Sequence, residues 1–218
     1  MDIKLTDEEI RVLGCLMEKE MATPDYYPLS LNALANACNQ KSNRDPVVSY
    51  DNETVISAIS GLRNKKFAME SSVSRVPKYA QTFSKAFNLN TSEDAVMCIL
   101  MVRGPQTLGE IRGRTERLYI FSDLDEVEKV IKSLEVMELV TRLPRLPGRK
   151  ESRYVHLLGE DISNVTEESI SVPENAVSSP VRNNASFEDL RTEIEILRKE
   201  VESLKTEFED FKKFHDHN

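Results

Sequence analysis

A chain of 218 residues, 39% hydrophobic and 30% charged, is long enough for one or two small domains with cores of their own. Seven glycines and nine prolines are too few for an all-β sandwich, and no run approaches the roughly 18 apolar residues of a membrane span. The net charge of −8 is unevenly spread: residues 1–90 and 91–159 each hold 11 basic and 11 acidic side chains, so the whole excess lies beyond Leu158. The first 159 residues are therefore neutral, which neither excludes nor supports a nucleic-acid partner. Met1–Thr6 lacks the basic start and apolar run of a secretory leader. Cys15, Cys38 and Cys98 lie far apart in apolar surroundings with no CxxC pair. These features predict reduced, buried thiols in a cytoplasmic protein.

Taken in chain order, the helix signals occur twice. Thr6-x-x-Glu9 is a capping box opening a helix to about Glu20, with Ile10, Leu13, Leu16 and Met17 at helical spacing. Asn90-x-x-Glu93 opens its counterpart 84 residues later, with Val96, Met97, Leu100 and Met101. Short helices then start after Ser30 and Thr107, at an offset of 77. Third helices follow Asp51 and Asp123, at an offset of 72, with Val55, Ile59 and Leu62 matching Val127, Ile131 and Leu134. The first copy has longer loops. Each third helix runs into β-like stretches: Phe67–Glu70 and Val76–Tyr79 in the first copy, Leu139–Leu143 and Arg153–Leu157 in the second, the latter pair around Pro147-Gly148. Three helices and a hairpin, twice, predict two tandem winged-helix domains over 1–88 and 89–159, packed on one another, in a mainly α chain with small β-hairpins (α+β).

Residues 160–186, rich in Ser, Asn, Pro and Glu, read as a flexible acidic linker. Over 187–214 apolar residues alternate at spacings of three and four. Phe187, Ile194, Val201 and Phe208 fall at a, and Leu190, Leu197, Leu204 and Phe211 at d. β-Branched a with Leu d predicts a parallel two-stranded coiled coil. Glu193, Glu200 and Glu207 at g would meet Arg198, Lys205 and Lys212 at e of a partner, whereas an antiparallel pair would set glutamate against glutamate. A homodimer through Leu190, Ile194, Leu197, Val201, Leu204, Phe208 and Phe211 follows. A lone amphipathic helix docked on the globular part is the plainer alternative.

The stretches Arg11–Lys19, Ala37–Val47 and Pro147–Tyr154 make residues 1–159 similar to the bacterial protein family typified by YceH. The resemblance implies tandem winged-helix domains and carries no activity with it.

Three places are candidates for nucleic-acid contact. The second hairpin sets Arg142, Arg145, Arg149, Lys150 and Arg153 against one acid, Glu151, as a phosphate-lining tip does; a solvated hairpin would read the same way. The loop Asn39–Asp45 holds Lys41, Asn43 and Arg44 beside amides that can read base edges; a loop bonded to itself is the competing reading. The third helix of the first copy carries Arg63 and Asn64 on its polar side, whereas that of the second copy opens with Asp123, Asp125 and Glu126, a poor groove reader. The nucleic-acid set is thus Lys41, Asn43, Arg44, Arg63, Asn64, Arg145, Arg149, Lys150 and Arg153. His156, His215 and His217 are the only histidines, and none has metal-ligand spacing. No glycine-rich phosphate loop is present, so neither catalysis, cofactor nor metal is expected. The sequence predicts a dimeric DNA-binding regulator, with a protein-interaction adaptor, like winged-helix accessory subunits of chromosome-condensation complexes, as the alternative. No membrane partner is expected.

Overall fold

The computed structural model describes residues 4–71, 76–145 and 151–159. The linker and coiled-coil expectations for 160–214 lie outside the described residues. In the first copy the structure has α1 (Asp7–Ala22), a 3-10 turn at Pro24–Tyr26, β1 (Leu29–Ser30), α2 (Leu31–Cys38), α3 (Asn52–Asn64), β2 (Ala68–Ser71) and β3 (Lys78–Gln81). The short α4 (Phe83–Phe87) leads to the second: α5 (Thr91–Arg103), α6 (Leu108–Thr115), α7 (Leu124–Val136), β4 (Val140–Arg142) and β5 (Tyr154–His156). Among the described residues this is an α+β arrangement of seven α-helices and two small antiparallel sheets.

The helices begin where side chains satisfy orphan backbone donors. Thr6 and Asn90 each form a complete capping box, with Glu9 and Glu93 reaching back to the cap backbone at 2.9 Å. Ser30 and Thr107 cap α2 and α6, and Asp51 and Asp123 cap α3 and α7. The helix ends repeat as well. Lys66 (φ 63°) and Glu138 (φ 57°) are both left-handed, and Phe67 N and Leu139 N close the turn onto Leu62 O at 2.8 Å and Leu134 O at 3.0 Å.

In the first sheet the strand order is β1-β3-β2, with Leu29 opposite Tyr79 and Ala68 opposite Gln81. In the second, β4 pairs β5 with Thr141 opposite Val155, and a single bridge from Gln106 to Tyr154 stands where β1 pairs β3. β1 and α4 were not read from the sequence. A two-residue strand has no period to detect, and five residues fall short of a stable helix on their own. α4 forms because Phe83 is wholly buried and packs edge-on against Phe67 and at a tilt against Phe87, at centroid distances of 5.3 and 4.6 Å.

α1 and α5 are the central contact. Both are buried over most of their length: Val12–Met17 in one, Ala95–Val102 in the other. They approach at Gly14, where an added Cβ would lie 2.8 Å from Val102 Cγ1 and 2.9 Å from Met101 Cβ. Cys98, 84 residues on and so the repeat equivalent of Gly14, donates its thiol to Gly14 O at 3.5 Å. Contact between equivalent positions marks an approximate two-fold relation between the copies, like that of an isologous dimer. Two further bonds tie the copies together: Leu5 N to Leu158 O at 2.7 Å and Asp45 N to Val102 O at 2.9 Å.

The capping acids also reach their own third helix. Glu9 is buried beside Gly61 and accepts from Lys65 Nζ at 2.6 and 2.8 Å; Cβ at position 61 would come within 2.0 Å of its carboxylate. Glu93 accepts from Ser133 Oγ at 2.7 Å, and Ser133 is the counterpart of Gly61. A second polar knot lies where α1, β3 and α4 meet. Gln81 Nε2 donates to Glu20 at 2.5 Å and to Ser84 Oγ at 2.8 Å. Asp94, whose buried Oδ1 lacks a partner among the described residues, is pushed up to about 6 by burial and by Glu20 and Glu93, against the Ser84 hydrogen bond.

Two outcomes are expected. Gly14→Ala gains about 1 kcal/mol of helix propensity but must push Val102 and Met101 apart, at about 1–3 kcal/mol; urea titration should show net destabilisation. Asp94 has a raised folded pKa, so its favourable contribution is complete below the ordinary carboxylate range and is lost as pH rises through about 6. Asp94→Asn should therefore be more stable than the parent above pH 6, by about 1 kcal/mol after allowance for partial exposure. Thermal melts from pH 4 to 8 should show the gap closing on the acid side.

Candidate functional site

The loop after α2 is built around Arg44. Its side chain is wholly buried and donates to Ala37 O at 3.1 Å, Glu18 Oε2 at 2.6 Å, Asn43 O at 2.9 Å and Gln40 Oε1 at 3.0 Å. Burial alone would raise the Glu18 carboxyl, but the hydrogen bond and charge of Arg44 outweigh it and hold Glu18 below its ordinary range. Asn39 locks the far end of the loop, donating to Tyr50 O at 2.8 Å and accepting from Tyr50 N at 2.7 Å. Asn39 and Arg44 thus bind the loop to α1, the end of α2 and Tyr50. Lys41 and Asn43 stay exposed, with Asn43 (φ 61°) accepting from Arg103. Arg44, chosen from the sequence as a phosphate ligand, faces the protein interior. The reason is the Glu18 carboxylate on α1, 26 residues away, which no loop-level pattern reveals. Cys15, Cys38 and Cys98 are free and buried in this region.

α3 turns Glu53, Ser57, Ser60 and Asn64 to solvent. They line an open groove of about 690 Å³ with Thr6 and Glu8 from the start of α1. Every charged group in that groove is a carboxylate: Glu8, Glu9 and Glu53. Arg63 is bridged to Glu70 on β2 at 2.9 Å, both partly exposed. On α7 the acids serve local order: Asp123 accepts from Glu126 N at 2.8 Å, and Glu126 accepts from Ser122 N and Tyr119 Oη at 2.8 Å.

The second hairpin divides. Arg153 forks onto Glu110, the capping-box acid of α6, at 2.8 and 3.2 Å, and donates to Pro105 O at 2.7 Å. Arg145 and Arg142 are exposed and, among the described residues, in no ion pair. Arg149 and Lys150 lie outside the described residues. Arg142 and Arg145 border a second groove, about 270 Å³, between the hairpin and the first residues of α6 and α7. Its walls are Leu108, Gly109, Leu124, Glu151, Ser152 and Tyr154. Sequence reasoning missed Leu108 and Leu124. The spacing gave no signal, because Leu124 stands three residues before Val127 on the core-facing stripe of α7 and only the structure shows it 45% exposed.

The predicted residues come from separate elements. Lys41 and Asn43 sit on the loop after α2, Arg63 and Asn64 at the end of α3, and Arg145 on the second hairpin, while Arg44 and Arg153 are held within the protein. Among the described residues no group of His, Cys, Asp or Glu could hold a metal ion, and no helix is long and apolar enough to cross a membrane.

Residues 5–149 match the family described as "Protein of unknown function, DUF480". The UPF0502 protein of Solibacter usitatus is 56% identical over 170 residues, covering 78% of this chain and 82% of that protein. The UPF0502 protein of Geobacter sulfurreducens is 48% identical over 187 residues (84% and 85%), and that of Pelobacter propionicus 55% over 173 (77% and 78%). The chain belongs to this DUF480/UPF0502 family of bacterial proteins.

Arg44→Ala leaves the largely buried Glu18 carboxylate with only its Lys19 ion pair at 2.9 Å and should cost about 3 kcal/mol in urea unfolding. Lys41→Ala, three residues away in sequence but exposed and outside the network, should stay within about 0.5 kcal/mol of the parent.

Proposed function

We propose that this chain is a protein-interaction adaptor built from two tandem winged-helix domains. Two helix-helix-helix-hairpin copies in the same order, at offsets of 84, 77 and 72, support the domain assignment. The observation that carries the adaptor reading is the internal use of positive charge. Arg44 and Arg153 are committed to Glu18 and Glu110, Arg63 is bridged to Glu70, and the groove along α3 is rimmed by carboxylates. A phosphate backbone needs exposed, contiguous cations, since each phosphate neutralised releases counterions. Carboxylate-rimmed helices suit a protein partner better. The heptad seam at 187–214 adds a homodimer to the proposal, so that each surface would be presented twice.

A DNA-binding regulator is the second reading. The exposed Arg142 and Arg145 at the base of the second hairpin favour it. The two readings separate on the full-length chain. An adaptor captured from nuclease-treated lysate retains a stoichiometric protein partner, and its binding to duplex DNA stays at the non-specific level. Tight duplex binding that falls steeply with salt and drops about tenfold or more in Arg142→Ala/Arg145→Ala would overturn the adaptor reading.

A further inference from the structure

We propose that the groove between the starts of α6 and α7 and the β4–β5 hairpin docks an extended peptide segment of a partner protein, one that carries an aliphatic or aromatic side chain flanked by carboxylates. This rests on the adaptor reading and gives it a place and a ligand chemistry.

The groove has two kinds of lining. Leu108, Leu124 and Tyr154 form an apolar floor and wall. Arg142 and Arg145 stand at its rim, with Glu151 the one acid in the lining. Both arginines are exposed and, among the described residues, in no ion pair. An apolar anchor in such a site loses its water against Leu124 and Leu108, while neighbouring carboxylates meet the two guanidinium forks.

The backbone favours an extended ligand. Leu143 N donates to Arg153 O and Leu157 N to Leu139 O, both at 2.8 Å, so the odd-numbered residues of the β4 segment bond inward to β5. Antiparallel alternation then turns the N–H and C=O of Arg142 to the outer edge, where no strand lies among the described residues. A peptide residue paired there would project its side chain on the same face as Arg142, into the groove.

Charge density separates this ligand from nucleic acid. Asp123 and Asp125 flank Leu124 in sequence. Duplex DNA carries a charge about every 1.7 Å along its axis and would meet these acids together with the arginines. A peptide places its few carboxylates only opposite Arg142 and Arg145.

Gly109 provides a clean test. A Cβ there would meet nothing nearer than Thr107 Oγ1 at 4.0 Å, so a side chain can be introduced at this groove-lining position, and the melting temperature of the variant checks the fold. A random-peptide phage library is panned on the full-length chain, and an enriched peptide is synthesised with a fluorophore for anisotropy. The expected result is enrichment of aliphatic or aromatic residues flanked by Asp or Glu. Affinity should fall tenfold or more in Arg142→Glu/Arg145→Glu and in Gly109→Phe, with unchanged melting temperatures, and stay within twofold in Lys41→Ala. Enriched peptides that bind both groove variants as well as the parent would overturn this docking site while leaving the adaptor reading standing. No enrichment, together with duplex DNA binding that the Arg142→Glu/Arg145→Glu change abolishes, would overturn both.

Discussion

The close approach of α1 and α5 at Gly14 is the constraint on which the rest of the molecule depends. Two small helical units have modest cores when apart, and neither buries its first helix alone. Laid together with Gly14 against Met101 and Val102, the two helices become the centre of one shared core. The repeat equivalents Gly14 and Cys98 are in direct contact, so the same helix position serves both sides of the crossing. The chain thereby makes within itself the kind of two-fold interface that homodimers make between subunits.

That arrangement governs where charge is spent. Glu9 and Glu93 start as capping acids and end as buried bridges to α3 and α7. Glu18 on α1 draws Arg44 inward, and Glu110 on α6 draws Arg153 onto its own helix start. Each is a carboxylate that burial would make costly and that an opposed donor satisfies. Among the described residues this leaves an acidic groove along α3 and, on the other copy, a small apolar groove rimmed by Arg142 and Arg145. The two copies share a skeleton and differ in the chemistry of the grooves on their exposed faces.

Much of the skeleton was legible in the residues. The caps at Thr6, Ser30, Asp51, Asn90, Thr107 and Asp123 start the helices at offsets of 84, 77 and 72 because capping is local, satisfied within three residues of the cap. The hairpins followed for the same reason. The candidate site was legible only in part. Lys41 and Arg145 are exposed as the sequence suggested, but Arg44, in the same polar run as Lys41, is enclosed.

By itself, then, the sequence determined the elements, their duplication and their order, since these rest on hydrogen bonds and apolar spacing a few residues apart. The tertiary structure alone decided which charges remain available. Arg44 meets Glu18 across 26 residues, Arg153 meets Glu110 across 43, and Leu108, Leu124 and Arg142 come from three separate elements to line one groove. Pairings across such distances are settled by how the helices pack, and no period or motif in the chain encodes them.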